Sequence, residues 1–169
     1  LPELHALIAA TLKNTGVPGA AVAVVHQDRM IDAKGFGRRE IGKPARVDPD
    51  TVFQLASLSK PLASTVIAGL VSDKIVTWDD RLVDHSPDFR MHDASITASL
   101  TIRDMCSHRS GLPEHAGDQL EDMGYGREEI LRRLRHIPTH NLFRSQYAYT
   151  NFGLTAGAVA AANAAGQSW

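Results

Sequence analysis

The chain has 169 residues, of which 43% are hydrophobic and 22% are charged, and its net charge is −1. This length and composition allow one domain with a substantial buried core. The charge gives no basic surface for nucleic acid, and no apolar run reaches the roughly 18 residues of a membrane span. We therefore expect neither a nucleic-acid partner nor a membrane span. The single cysteine, Cys106, excludes an internal disulfide.

The first part of the chain predicts one helix followed by a β-hairpin. Apolar residues recur at helical spacing near the start: Leu4, Leu7, Ile8 and Leu12. Gly16 follows where such a helix would end. Small residues and valines fill 19–26, and a polar turn joins them to 30–37, a pattern typical of a hairpin.

The next predicted element is a long helix that runs from Ser57, or just before it, to about Ser72. One row of apolar residues recurs every four positions: Leu58, Leu62, Val66 and Leu70. A second row, which includes Ile67 and Val71, lies on another side of the same helix. We therefore expect this helix to be central and buried on more than one side. Pro61 fits, because it falls within the first turn.

The rest of the chain predicts short helices separated by polar loops. They cover 101–107, 127–135 and the alanine-rich segment 151–165, which Gly166 would end. Strands come first and helices later, without alternation between the two. This order favours an α+β fold, in which a helical layer packs against an antiparallel sheet.

Two short motifs carry the candidate chemistry. Ser57 and Lys60 are three residues apart, which places them on one face of a helix within hydrogen-bonding range. A serine hydroxyl is a poor nucleophile unless a base lies next to it. Taken alone, the pair is better explained as a helix-capping serine with a solvated lysine one turn further on. Tyr149 and Asn151, much later in the chain, form the second motif.

Four segments in a fixed order carry a resemblance to a known family: 53–60 around Ser57, 70–80, 101–113 and 149–153. Together they resemble the superfamily of serine β-lactamases and penicillin-binding proteins, on the branch of class C β-lactamases, D-aminopeptidases and related esterases. The resemblance implies a β-lactamase/transpeptidase-like fold. Residues 1–169 would form the N-terminal part of one such domain, with the helix and hairpin in 1–52 and the helical region in 53–169.

The resemblance also implies roles for the motif residues. Ser57 would attack a carbonyl, and Lys60 and Tyr149 would share the transfer of its proton. Asn151 would hydrogen-bond Lys60 and orient the substrate. The backbone N–H of Ser57 would be one oxyanion donor.

These roles predict a serine hydrolase that acts on an ester or amide through an acyl-enzyme. A β-lactam, a D-amino-acid peptide or a short-chain ester would all fit as the substrate. The alternative is a penicillin-binding or sensor-like module that is acylated without turnover. No cofactor is expected.

The family's third motif, K-T-G or H-x-G, lies on a strand well after the tyrosine motif. Trp169 comes soon after Asn151, and no such strand follows. Two matches in letters, at 13–16 and at 115–117, fall in other places and are interpreted as chance. Either the chain is truncated, or it is one half of a split domain; we expect the second, with a companion polypeptide that supplies the remaining strands and the third motif.

The eight histidines do not predict a metal site. His136 and His140 have the ligand spacing of a helix, but Pro138 lies between them and argues against a helix there. The other histidines show no comparable pairing, and His108 is expected to brace its own turn, 107–112. The G-x-S-x-G motif of α/β-hydrolases is absent.

Overall fold

The computed structural model describes residues 1–139 and 143–169. The chain divides into two units, Leu1–Leu55 and Ala56–Trp169. Within the described residues, no helix is both long enough and apolar enough to cross a membrane.

The first unit contains one helix and one hairpin, as predicted. Helix α1 (Pro2–Thr15) ends at Gly16, whose left-handed conformation lets its N–H bond to the carbonyl of Leu12. Strand β1 (Gly19–His26) pairs antiparallel with β2 (Arg29–Gly37). The turn between them has positive φ at Gln27 and Asp28, which matches the twist of the paired strands.

The second unit is helical and is built around its last helix. It contains α2 (Ser59–Ser72), α3 (Leu82–His85), α4 (Ala94–Ser99), α5 (Ile102–Cys106), α6 (Asp118–Asp122), α7 (Arg127–Arg133) and α8 (Asn151–Ala164). Small residues along α8 let α5 approach closely. A Cβ added at Gly157 would lie only 2.9 Å from Cβ of Met105. The alanine-rich helix therefore forms the centre of the core, and most of its residues are buried.

Helix α2 is only partly the buried helix that the sequence predicts. Ala63 and Ile67 are buried, but Leu62 and Val66 are each 55% exposed. The prediction of burial on more than one side is therefore wrong for these residues. Apolar periodicity identifies a face of a helix, but it does not show what covers that face.

Three short helices lie in segments that the sequence assigned to loops. They are α3, α4 and α6, each of six residues or fewer. Local capping rather than an apolar stripe starts α4, because the carboxylate of Asp93 accepts the backbone N–H groups of Ser95 and Ile96. Helices of one or two turns leave too little periodicity to be recognised in a sequence.

Candidate active site

Ser57 lies in a 3-10 turn, Ala56–Leu58, directly before α2. The helix begins at Ser59, so its predicted start at Ser57 is wrong by two residues. Ser57 and Leu58 belong instead to the 3-10 turn, whose first residue, Ala56, has a left-handed backbone (φ 46). Lys60 still reaches back to the serine, and its Nζ donates to Ser57 Oγ at 3.1 Å. The backbone N–H of Ser57, the predicted oxyanion donor, is part of this turn.

Tyr149 and Asn151 meet this pair from the start of α8. The Tyr149 hydroxyl lies 2.6 Å from Ser57 Oγ. Lys60 Nζ donates to Asn151 Oδ1 at 2.6 Å and lies 4.6 Å from the centre of the Tyr149 ring. The structure thus brings the four candidate side chains into one hydrogen-bonded group.

The charge of Lys60 acts on Tyr149. The Lys60 ammonium, and after it the hydrogen bond with Ser57, stabilises the phenolate and holds the pKa of Tyr149 below its ordinary value. Burial and the negative charge of Asp118 act in the opposite direction but do not outweigh these contacts. Tyr149 is therefore a better proton acceptor for Ser57 than a free tyrosine.

His108 supports the tyrosine motif from behind. Its side chain is buried, and its Nδ1 accepts the backbone N–H of Thr150 at 3.1 Å. Its ring centre lies 4.8 Å from that of Tyr149, and its carbonyl accepts the N–H of Ala148 at 2.8 Å. The prediction that His108 braces its own turn is therefore wrong, because the ring holds 148–150 instead.

His115 and Asp118 also lie beside the candidate site, although the sequence singled out neither for it. The N–H of His115 donates to the carbonyl of Tyr149 at 2.8 Å, and its ring Nδ1 lies 2.8 Å from Asp118 Oδ2. The same carboxylate oxygen accepts Asn151 Nδ2 at 2.9 Å. A histidine and an aspartate three residues apart are common on protein surfaces, so spacing alone could not have identified them.

A buried carboxylate anchors the loops that carry these residues. Asp104 is fully buried, and its carboxylate accepts hydrogen bonds from Arg109 Nε at 2.9 Å and from an Arg144 guanidinium nitrogen at 2.8 Å. Arg109 directly follows His108, and Arg144 lies in the segment that leads to Tyr149. Asp104 therefore fixes both loops to α5.

Cys106 and the remaining histidines form no second catalytic or metal site in the described part of the chain. Burial raises the pKa of the Cys106 thiol to about 11, so this thiol is protonated at neutral pH. Across 1–139 and 143–169, no three His, Cys, Asp or Glu side chains are grouped as metal ligands would be. His140, one member of the pair with helical spacing, lies outside the described residues.

Comparison with known proteins identifies the family to which this chain belongs. The Beta-lactamase family model matches residues 4–169, so the chain belongs to the β-lactamase family. The family resemblance predicted from the four sequence segments is confirmed.

Two curated relatives and one solved structure illustrate the likeness. The chain is 21% identical over 151 residues to Protein flp of Staphylococcus aureus (strain COL), covering 88% of this chain and 30% of that protein. It is 28% identical over 153 residues to Unguisins hydrolase ungD of Aspergillus violaceofuscus (strain CBS 115571), covering 83% and 26%. A class C β-lactamase structure matches with a TM-score of 0.81 at 20% identity, covering 96% of this chain and 44% of that one.

These matches confirm the predicted fold class, helices with an antiparallel sheet as in β-lactamases. They also show that the chain spans less than a third of the length of these two curated relatives.

Proposed function

We propose that the protein is a serine hydrolase that cleaves an ester or an amide through an acyl-enzyme on Ser57. The observation that carries this proposal is the position of Ser57 Oγ, 2.6 Å from the Tyr149 hydroxyl and 3.1 Å from Lys60 Nζ. A serine with a proton acceptor and a cation at hydrogen-bonding distance has what nucleophilic catalysis requires. The family and the name of Unguisins hydrolase ungD support the same class of reaction.

Acylation begins with the attack of Ser57 Oγ on the substrate carbonyl while the Oγ proton passes to Tyr149. The carbonyl π electrons move to oxygen, and the backbone N–H of Ser57 stabilises the resulting oxyanion. When the tetrahedral intermediate collapses, the bond to the leaving group breaks, and the leaving group takes the proton from Tyr149. In this scheme Tyr149 starts as the phenolate that its contact with Lys60 favours, and it returns to that state when the leaving group takes the proton.

Deacylation repeats these steps with water as the nucleophile. Water attacks the acyl-serine ester, its proton passes to Tyr149, and the collapse of the intermediate releases the acid. Ser57 Oγ then takes the proton back. A β-lactam, a D-amino-acid peptide and a short-chain ester all fit this scheme, because each presents a carbonyl to the serine.

Covalent labelling of the complete gene product with a fluorophosphonate probe tests the nucleophile. We expect Ser57→Ala to abolish labelling. Ser59→Ala and Ser110→Ala should keep most of it, because neither hydroxyl bonds to a lysine or a tyrosine among the described residues. Labelling that survives Ser57→Ala would contradict the proposal.

Turnover is tested separately with a chromogenic ester and a chromogenic cephalosporin. A burst followed by steady hydrolysis is expected of a hydrolase. A burst without turnover would instead indicate the penicillin-binding or sensor-like alternative.

The companion polypeptide predicted from the sequence stays a proposal, in which a further segment brings the third motif and a second oxyanion donor to Ser57. In its favour, the chain spans only 44% of the class C β-lactamase structure that it matches. The intact masses of the purified native material test it. An active, cooperatively folded species of 18.4 kDa alone would contradict it.

A further inference from the structure

The side chain of Asn151 lies between a cation and an anion. Its Oδ1 accepts from Lys60 Nζ at 2.6 Å, and its Nδ2 donates to Asp118 Oδ2 at 2.9 Å. An ammonium group only donates hydrogen bonds and an ionised carboxylate only accepts them. Because the two neighbours make opposite demands, only one orientation of the amide satisfies both.

Asp118 is itself held in place from the tyrosine side of the motif. Its Oδ2 lies 2.8 Å from His115 Nδ1, and the backbone N–H of His115 donates to the carbonyl of Tyr149 at 2.8 Å. Both polar residues of the tyrosine motif are thus tied to the short segment 115–118.

The two carboxylate oxygens of Asp118 differ in their hydrogen bonding. Oδ2 takes both contacts, whereas Oδ1 is buried and has no hydrogen-bond partner among the described residues. A buried acceptor without a partner costs about 1–3 kcal/mol. The side-chain contacts of Asp118 thus go to Asn151 and His115, beside the candidate site.

We propose that Asp118 is a positioning residue that fixes the amide of Asn151 with its carbonyl toward Lys60, and that His115 holds Asp118 in the required orientation. This inference rests on the proposed function of Ser57. Without the carboxylate, the NH₂ group of the amide loses its acceptor, and the Asn151 side chain is free to move away from Lys60. Lys60 then loses an acceptor and is no longer aimed at Ser57 and Tyr149.

Among the described residues, Lys60 and Asp118 bond to this amide, Tyr149 and His115 contact those two groups, and His108 lies against Tyr149. The negative charge of Asp118 opposes formation of the Tyr149 phenolate. Its removal should therefore lower the pKa of Tyr149 and move the rise of acylation rate with pH toward lower pH. A residue that only stabilised the fold would not shift this profile.

The test is the rate of fluorophosphonate labelling of Ser57 as a function of pH in the complete gene product. We expect Asp118→Ala to slow labelling about 10²-fold, the cost of a misplacement of about 1 Å in an active site. Asp118→Asn keeps the shape and one acceptor oxygen, so it should recover part of the rate while its profile shifts to lower pH. Asp122→Asn removes an equal charge from the exposed end of α6 and should change neither quantity.

The outcomes separate this inference from the function on which it rests. If wild type is labelled at Ser57 and both Asp118 variants match its rate and profile, the positioning role is overturned and the nucleophile stands. A rate that falls only in proportion to the folded fraction, measured by circular dichroism, also overturns it. If wild type is not labelled at Ser57, the proposed function fails and this inference fails with it.

Discussion

The backbone N–H of Thr150 donates to Nδ1 of His108 at 3.1 Å. Because Nδ1 is the acceptor, the neutral ring carries its proton on Nε2. Burial, and after it the positive charge of Lys60, lowers the pKa of His108 below its ordinary value of 6.5. Protonation of Nδ1 would break this hydrogen bond, so the bond to Thr150 exists only while the histidine is neutral.

Replacement of His108 should therefore weaken both the fold and the site. In His108→Ala the buried N–H of Thr150 loses its acceptor, which we expect to cost about 1–3 kcal/mol of unfolding free energy. In His108→Asn a side-chain oxygen can replace Nδ1 and should recover part of the loss. Urea unfolding of the three proteins at pH 8 measures the difference, and equal stability of the alanine and asparagine variants would contradict it.

The same histidine predicts a pH dependence. Its pKa is lower in the folded than in the unfolded protein, so the unfolded state binds more protons as the pH falls below 6.5. Its contribution to stability is present above that pH and is lost as the pH falls toward the folded-state pKa. Urea unfolding between pH 8 and pH 5 should show a shallower loss for His108→Asn than for wild type.

Lys60 and Tyr149 should behave as one proton-transfer unit with Ser57. Loss of either is expected to reduce the acylation rate by about 10² to 10⁴, the usual contribution of a general base. Groups that act as a unit give losses far from additive, so Lys60→Ala combined with Tyr149→Phe should cost little more than the worse single change. The acylation rates of the wild type, the two single variants and the double variant can be measured from burst kinetics with a chromogenic ester. Fully additive losses would show that the two residues act independently.

Replacement of Gly153 by any larger residue is expected to disturb the tyrosine motif, because there is no space for a side chain at this position. A Cβ at this position would collide with Oγ1 of the fully buried Thr150, which lies between the two polar residues of the motif. Gly153→Ala should displace the motif and reduce Ser57 labelling about 10²-fold.

Gly69 provides the matched control for that change. It also lies in a helix, α2, but has no atom within 4 Å of an added Cβ. Gly69→Ala should leave labelling unchanged and stabilise the fold by about 0.5–1 kcal/mol. Similar labelling of the two alanine variants would contradict the proposed collision.

Below the pH range in which histidines titrate, protonation of Asp104 should cause most of the loss of folding stability. Burial alone would raise its pKa, but hydrogen bonds from Arg144 and Thr101 outweigh that effect and hold the pKa below 3.8. Its contribution is therefore complete above pH 3.8 and is lost as the pH falls through the lower folded-state value. Asp104→Asn should cost about 3 kcal/mol at neutral pH and remove this loss in acid.

The control for Asp104 is Asp79→Asn, because Asp79 pairs with Arg103 on an exposed surface, with 71% of its side chain accessible. Exposed pairs contribute little, so its thermal midpoint should stay near that of wild type. The thermal unfolding midpoints of wild type, Asp104→Asn and Asp79→Asn should be measured from pH 7 to pH 3. An equal effect of the two substitutions would show that the buried carboxylate has no special role.

Long elements and the proximity of Ser57 and Lys60 could be predicted from the sequence because their signals are local. Helix α1 and the hairpin follow from apolar spacing and turn residues, and the lysine lies within reach of the serine because three residues make about one helical turn. The meeting of Ser57 with Tyr149 was expected only through the family resemblance, since no local rule joins such distant residues.

The supporting residues could not be predicted, because their roles depend on contacts between loops. Sequence spacing places His108 in its own turn, and it gives His115 only a chance match to the third motif. Asp118 had no distinguishing pattern at all. Each is defined by the residue it contacts across the fold, which sequence spacing does not reveal.

Ala56 places backbone strain in the turn that carries Ser57, so this turn should be sensitive to warming. For a residue other than glycine, its left-handed backbone (φ 46) costs roughly 1–2 kcal/mol, and only the surrounding contacts hold it there. As those contacts loosen, the turn can relax while the helices around α8 remain intact. Heat should thus inactivate the protein several degrees before it melts, and a sample with full helical content can already have lost its reactive serine.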